Sequence, residues 1–166
     1  MLYDEELMIK DLETLYKAQL NPIIDAINTE KGAVSGDALF IENIASENYI
    51  FETLDSRVNN ISGFFIMYGI VDTPLREANT DNFIEDLTMT LRVAVFDRGE
   101  EQRQNTLYQL LRYRRALKQV IVNNPDVFRG FAKPLVASLK PDVLPYINKR
   151  AIINIGIDIK ASVTAN

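Results

Sequence analysis

The sequence contains no cysteine, no histidine and no tryptophan. Without cysteine there can be no disulfide and no zinc–thiolate site. Without histidine, the Ser-His-Asp and Cys-His nucleophile pairs are excluded in their usual form, and so is the most versatile general base near neutral pH. A metal site would have oxygen ligands only, which favours Mg²⁺, Mn²⁺ or Ca²⁺.

Signals for secretion, for a membrane span and for nucleic-acid binding are also missing. The acidic start, Met1 to Glu6, lacks the basic and apolar regions of a signal peptide, and no run approaches the roughly 20 apolar residues of a membrane span. The net charge of −5 argues against non-specific nucleic-acid binding. With 166 residues, of which 47% are apolar, we expect one domain that folds in a cytoplasm.

The dominant pattern is a long strand followed directly by a long helix. Apolar residues alternate from Leu87 to Phe96, which predicts a strand over roughly 82–97. Its acidic start, with Asp81, Glu85 and Asp86, is expected to overhang into solvent; the alternative is a strand that begins only at Leu87.

The apolar period becomes helical from Glu100 to Asn123, and Pro125 ends the pattern. One apolar stripe is predicted, made of Leu107, Leu110, Leu111, Leu117 and Ile121. The polar face is basic, with Arg103, Arg112, Arg115 and Lys118. Such a face is either solvated or a docking patch for an acidic partner.

The remaining segments complete an α+β domain. A first helix is predicted over 4–28, with a kink or two abutting helices at Pro22. Further strands are predicted near 49–54, 61–71, 135–139 and 151–163, with a polar loop over 72–80. We expect a single α+β domain over 1–166, built from the helix 4–28, a strand–helix core over 82–124 and C-terminal strands within 134–163. Its sheet should be largely antiparallel, with about four to five strands packed with two long helices.

One short pattern resembles a nuclease motif. Pro141-Asp142 followed by Asp158-Ile159-Lys160 is similar to the Pro-Asp…Asp-x-Lys pattern of a superfamily in which two acids hold Mg²⁺ and a lysine assists the attacking water. Strand alternation places Asp158 and Lys160 on one face, as a solvated strand face also would. No phosphate-binding loop, dinucleotide fingerprint or nucleophile elbow is present. We therefore favour a protein that is not an enzyme and has no catalytic, cofactor or metal site, with the Mg²⁺-dependent nuclease as a distant alternative.

The stretch from Tyr68 to Pro125 resembles the tail terminator proteins of long-tailed bacteriophages. The similarity includes a strand ending in Tyr68-Gly69 and a long strand ending in Val93-Ala94-Val95-Phe96-Asp97. A helix of the form Leu-Tyr-x-Leu-Leu-Arg-Tyr-x-Arg-Ala-Leu follows at 107–117, and Asn124-Pro125 closes it. Outside this third of the chain, only the order of elements is similar.

The resemblance implies a structural virion protein of the tail or neck, assembled in the host cytoplasm. Members of this family form rings, usually hexamers, that cap the tail tube at its head-proximal end, stop tube polymerisation and join the tail to the head. The implied partners are further copies of the chain, the tail tube protein, a neck or head-completion protein and, in contractile tails, the sheath protein. Genomic DNA would pass through without specific binding, and no membrane is involved.

Six charged residues are candidates for interaction in such an assembly: Asp81, Glu85, Asp86, Arg112, Arg115 and Lys118. An acidic balance would suit a channel through which DNA slides, so the three acids are hypothesised to line it. The alternative is another neck or tail-tube component, such as a head-closure protein. The sequence leaves open whether the tail is contractile and which surface meets which partner.

Overall fold

The computed structural model describes residues 5–51, 64–72, 76–79, 82–96, 100–128, 132–137, 144–147 and 150–164. Side chains are described over 6–49 and 100–128 and at Leu91, Val93 and Val95; the other strand residues are described by their backbone. The elements in chain order are α1 (Glu5–Glu30), β1 (Tyr49–Phe51), β2 (Phe64–Asp72), β3 (Arg76–Asn79), β4 (Asn82–Phe96), α2 (Arg103–Asn123), β5 (Ala132–Ala137), β6 (Leu144–Ile147) and β7 (Arg150–Thr164). Short 3₁₀ turns at Ser46–Asn48 and Glu100–Gln102 precede β1 and α2.

The first helix, α1, buries one stripe of residues spaced three or four apart, which is the spacing of a single helix face. That stripe consists of Met8, Leu12, Tyr16, Leu20, Ile24 and Ile27. The helix is continuous through Pro22, so the prediction of two abutting helices is wrong. Pro22 cannot donate to the carbonyl of Ala18, but both residues are exposed. Water can therefore bind that carbonyl.

The second helix, α2, buries three residues of the predicted stripe, Leu110, Leu117 and Ile121, but not the other two. The buried apolar residues are Leu110, Tyr113, Ala116, Leu117, Val120 and Ile121. Leu107 and Leu111 are instead 38% and 41% exposed, so their predicted place in the core is wrong. The two leucines are four residues apart, so at 3.6 residues per turn they share one helix face. That face lies beside the buried stripe that contains Tyr113.

The predicted fold class is contradicted. The part of the chain that is described down to its side chains is 68% helical and holds no sheet, rather than an α+β unit with a four- to five-stranded sheet. The core of this part is correspondingly helical, because most of the buried apolar side chains that are described lie on α1 and α2. Only Tyr49, Leu91, Val93 and Val95 come from strand segments.

Outside this helical part, the backbone follows strands whose number and pairing also differ from the prediction. Seven strands pair in the order β1-β2-β4-β7-β5, with β3 beside β4 and β6 beside β7, and the β1–β2 pair is parallel. The segment 76–79, predicted as loop, pairs with β4. The start of β4 does not overhang as an unpaired end, because Asn82 pairs with Thr164 of β7 and with Asn79 of β3.

Candidate interaction site

Residues 39–44, which we call the clamped segment, run between the two helices without belonging to either a helix or a strand. Two asparagines of α1, spaced seven residues apart on one face, bind its backbone. Asn28 Nδ2 donates to the Ile41 carbonyl (2.8 Å), and the Ile41 N–H donates to Asn28 Oδ1 (3.1 Å). Asn21 forms the same pair of bonds with Ile44, at 3.0 and 2.8 Å. Each amide thus binds one backbone residue through both its donor and its acceptor, as a neighbouring strand would.

Three side chains of α2 bind the same segment from the other side. Gln109 Nε2 donates to the Phe40 carbonyl (2.6 Å), and the Tyr113 hydroxyl donates to the Glu42 carbonyl (2.7 Å). Arg112 donates to the carbonyl of Leu39. Since Ile41 and Ile44 are buried between these contacts, the segment joins the helices by apolar packing and by hydrogen bonds together.

The end of α1 is also linked to α2 by an ion pair. Arg115 donates from its two terminal nitrogens to the two oxygens of Glu30, at 2.9 and 2.6 Å. These hydrogen bonds, together with one from Lys31, lower the pKa of Glu30 to about 2. Both side chains are about half exposed, so this bidentate pair positions the helices at the surface rather than in the core.

In the interior, one tyrosine hydroxyl links α1 to α2 and a second links β1 to α1. The Tyr16 hydroxyl donates to the carbonyl of Leu117 (2.8 Å), and the Tyr49 hydroxyl donates to the carbonyl of Tyr16 (3.3 Å). Burial raises the pKa of Tyr49 to about 12 and raises the pKa of Tyr16 well above its ordinary value. Both groups therefore stay protonated near neutral pH and serve as donors.

An exposed apolar area on α2 is the feature that sequence reasoning missed. Tyr108 is 43% exposed, and it stands next to Leu107 and one turn before Leu111. Beside it lies a groove of about 350 Å³, which we call the basic groove. The basic groove is lined by Lys31, Leu39, Tyr108, Leu111, Arg112 and Arg115. Three of these residues are cations, and none is an acid.

The C-terminal end of α2 has the opposite character. Val122 is 63% exposed, and Asn123, Pro125 and Asp126 after it are exposed as well. We call Val122 to Asp126 the acidic corner. The last turn of α2 contains no basic residue, so its negative helix end is not neutralised by one. The corner borders a cleft of about 510 Å³ whose charged lining residues are Asp11 and Asp126.

The six predicted interaction residues are not brought together at one place. Arg112 and Arg115 line the basic groove, where both bind other parts of the same chain. Lys118 is half-buried and forms no ion pair within the described residues. Asp81 lies outside the described residues, and the backbone of Glu85 and Asp86 pairs with Ala161 and Lys160 in the β4–β7 ladder. Their roles in an assembly stay predictions.

The nuclease-like residues are only partly described. Pro141 and Asp142 lie outside the described residues, whereas Asp158 and Lys160 occupy β7 positions opposite Thr88 and Asp86 of β4. Among the residues that the structure describes, no group of three or more acids could hold a metal ion.

Comparison with known proteins leaves the sequence resemblance as a hypothesis. Within the described ranges, neither helix is both long and apolar enough to cross a bilayer. The chain matches no protein-family model, and no curated protein matches it with significance.

Proposed function

We propose that this chain is a structural tail protein of a long-tailed bacteriophage, which forms a ring on the head-proximal end of the tail tube, ends tube polymerisation and joins the tail to the head. The proposal starts from the resemblance of Tyr68 to Pro125 to tail terminator proteins. Its proposed location is the virion tail or neck, after assembly in the host cytoplasm. Its proposed partners are further copies, the tube protein, a head-completion protein and, in a contractile tail, the sheath protein.

The observation that carries the proposal is the exposed apolar face of α2. Leu107, Tyr108 and Leu111 lie inside the stretch that resembles the family, and each is between 38% and 43% exposed. Single exposed apolar residues are ordinary, but adjacent ones beside a polar rim are typical of protein–protein contacts. A protein that assembles with other proteins needs such a face. An overhanging start of β4 does not support the proposal, because that start is paired within the chain.

The experiment is to mix the purified chain with tail tubes of the phage that encodes it and to image both by negative-stain microscopy. Closed rings, or extra density at one end of each tube, would support the proposal. Tubes of normal length should also be obtained only when the chain is present during polymerisation. A chain that ignores tube ends but binds the head-completion protein would instead be a head-closure component, and a chain that binds neither would overturn the proposal.

The channel hypothesis needs its own variants. We propose that Asp81, Glu85 and Asp86 line the channel, so neutralising them together as Asn, Gln and Asn should impair genome passage without preventing assembly. Asp25→Asn, Glu47→Gln and Glu101→Gln combined, at three exposed positions, provide a control that loses the same amount of negative charge. Unchanged infectivity of virions that carry the triple variant would contradict the channel role.

A further inference from the structure

The exposed side of α2 carries a stripe of residues with the spacing of a helix–helix contact. Its members follow one another at alternating intervals of four and three residues: Gln104, Tyr108, Leu111, Arg115 and Lys118. This alternation keeps side chains on one line that a second helix can follow. The apolar residues Tyr108 and Leu111 stand near its middle at 43% and 41% exposure, with Leu107 beside them. Packing against a second helix would remove this apolar surface from water.

The two ends of this stripe carry opposite charges. Glu101 is exposed in the turn that leads into α2, and Lys118 lies at the other end of the stripe. Within the part of the chain that the structure describes, neither side chain forms an ion pair, whereas Arg115 is already paired with Glu30. The stripe therefore has a free acid at one end, a free base at the other and apolar residues between them. Such a pattern is complementary to its own reverse.

We infer that the chain forms a two-fold dimer in which α2 of one copy packs antiparallel against α2 of the other. With the two-fold axis between positions 109 and 110, Tyr108 faces the partner's Leu111, and Glu101 faces the partner's Lys118. Each contact then occurs twice, as two-fold symmetry requires. The apolar residues form the centre of the contact and the free charges form its rim, which is the usual arrangement of an interface.

Other pairings of the same stripe place like charges together, which disfavours them. In a parallel pair, Lys118 would face its own copy. In an antiparallel pair centred on position 115, Arg115 would face its own copy and Arg112 would face Lys118. With the axis between positions 109 and 110, the residues opposite Arg112 and Arg115 are Leu107 and Gln104, so no base opposes a base.

This dimer is a different assembly from the proposed ring, and the inference does not rest on the proposed function. A two-fold contact is closed, because both copies use the same surface and no copy of it is left for a third chain. The stripe from position 101 to position 118 is about 26 Å long and one helix, about 10 Å, wide. Each partner in a standard interface contributes about 800 Å², which is more than such a stripe offers. We therefore expect a weak dimer, with a Kd of about 1 μM or above.

Two matched substitutions on α2 test the contact and its register. Leu111→Ser removes an apolar side chain from the centre of the contact, so it should raise the Kd of the dimer about tenfold. Val122→Ser is the control, because Val122 is 63% exposed on the same helix but lies beyond the start of the partner's α2 in this register. Light scattering over a series of concentrations measures both. If circular dichroism shows that Leu111→Ser is unfolded, Tyr108→Ser serves in its place.

The free charges test the orientation of the helices, at low ionic strength, where such contacts are strongest. Glu101→Lys and Lys118→Glu each place like charges opposite one another at both ends of the contact. Each variant alone should therefore dimerise about tenfold more weakly than the wild type. A one-to-one mixture of the two should recover the affinity of the wild type, because both ends of the mixed dimer again join opposite charges. Glu47→Lys, at an exposed position outside α2, controls for the change in net charge.

Four results would each overturn the inference. The first is a wild type that stays monomeric at every concentration, whether or not its α2 binds another tail protein. The second is a Leu111→Ser variant that dimerises like the wild type. The third is a loss of affinity in Val122→Ser as large as in Leu111→Ser, and the fourth is a mixture of the charge variants that binds no more tightly than either alone.

Tube-end binding, measured in parallel, separates this inference from the proposed function. Closed rings in solution without a two-fold dimer would overturn the inference and support the function. A dimer that responds to the variants as expected, together with tubes that the wild type ignores, would support the inference and refute the function.

Discussion

The exposed faces of the two helices differ in how their side chains are paired. On α1, Glu6 pairs with Lys10 and Glu13 pairs with Lys17, so acids and bases one turn apart neutralise each other along the surface. On α2, Arg112 and Arg115 bind residues of other segments, and Leu107, Tyr108, Leu111 and Val122 remain exposed. On a face with local ion pairs, the charged groups already have partners. On a face with exposed apolar residues, binding to another protein would remove apolar surface from water, which is favourable.

The largest effect is expected where α2 meets the core. Leu117 is fully buried, so Leu117→Ala should lower the free energy of unfolding by about 2–5 kcal/mol through lost burial and a residual cavity. Leu111→Ala, on the exposed face of the same helix, is the matched control and should change it by less than about 0.5 kcal/mol. Urea denaturation followed by circular dichroism measures both. Equal losses for the two variants would show that the two faces of α2 do not differ as described.

The next effect concerns the clamped segment. Asn28 is 4% exposed, and Asn28→Ala would leave the N–H and the carbonyl of Ile41 without partners in a buried place. We expect a loss of about 2–3 kcal/mol in the free energy of unfolding, because unsatisfied buried groups cost roughly 1–3 kcal/mol each. Asn43→Ala removes only an exposed hydrogen bond to Asp25 and should cost under about 0.5 kcal/mol. If Asn28→Ala lowered the free energy of unfolding as little as this control, the hydrogen bonds from Asn28 would not be what holds the clamped segment in place.

The contacts of the clamped segment also show what could not be predicted from the sequence. Both helices follow from local spacing, and their observed bounds lie within three residues of those expected. Residues 39–44 have apolar side chains without a helical or strand period, and their backbone partners come from Asn21 and Asn28 before them and from α2 some seventy positions later. No local pattern encodes contacts at such a separation.

The candidate site was harder to anticipate than the helices. Spacing alone assigned Leu107 and Leu111 to the core, but the rotation of α2 is set by Tyr113, whose hydroxyl binds the clamped segment, and by Ala116, a small residue buried on the same face. The sequence indicates the basic residues of α2 but not their partners within the chain. The fold class was wrong because strand alternation says nothing about how many strands pair, or about how much of the core the helices provide.

A smaller effect is expected on acidification at the ion pair between the helices. The Arg115 hydrogen bonds hold the pKa of Glu30 at about 2, below its ordinary value of 4.5. The stabilisation is therefore fully present above pH 4.5 and is lost as the pH falls through about 2. Glu30→Gln should remove this part of the pH dependence, so its difference in stability from the wild type should shrink between pH 5 and pH 2. Glu13→Gln is the matched control, and an identical acid response in Glu30→Gln and the wild type would refute the assignment.

The smallest effect on the free energy of unfolding is expected on the exposed face of α1. A variant there can be compared directly with a variant on the exposed face of α2. Glu6→Gln breaks an exposed pair with Lys10, which should change the free energy of unfolding by about 0–1 kcal/mol, and less at high salt. Leu111→Ser on α2 should be equally mild for unfolding, because its side chain is already 41% exposed. The two variants should separate in association: Leu111→Ser should weaken the oligomer seen by light scattering, while Glu6→Gln should leave it intact. If both variants assembled like the wild type, the exposed leucine would be as inert as the ion pair, and the difference between the two helix faces would have no consequence for binding.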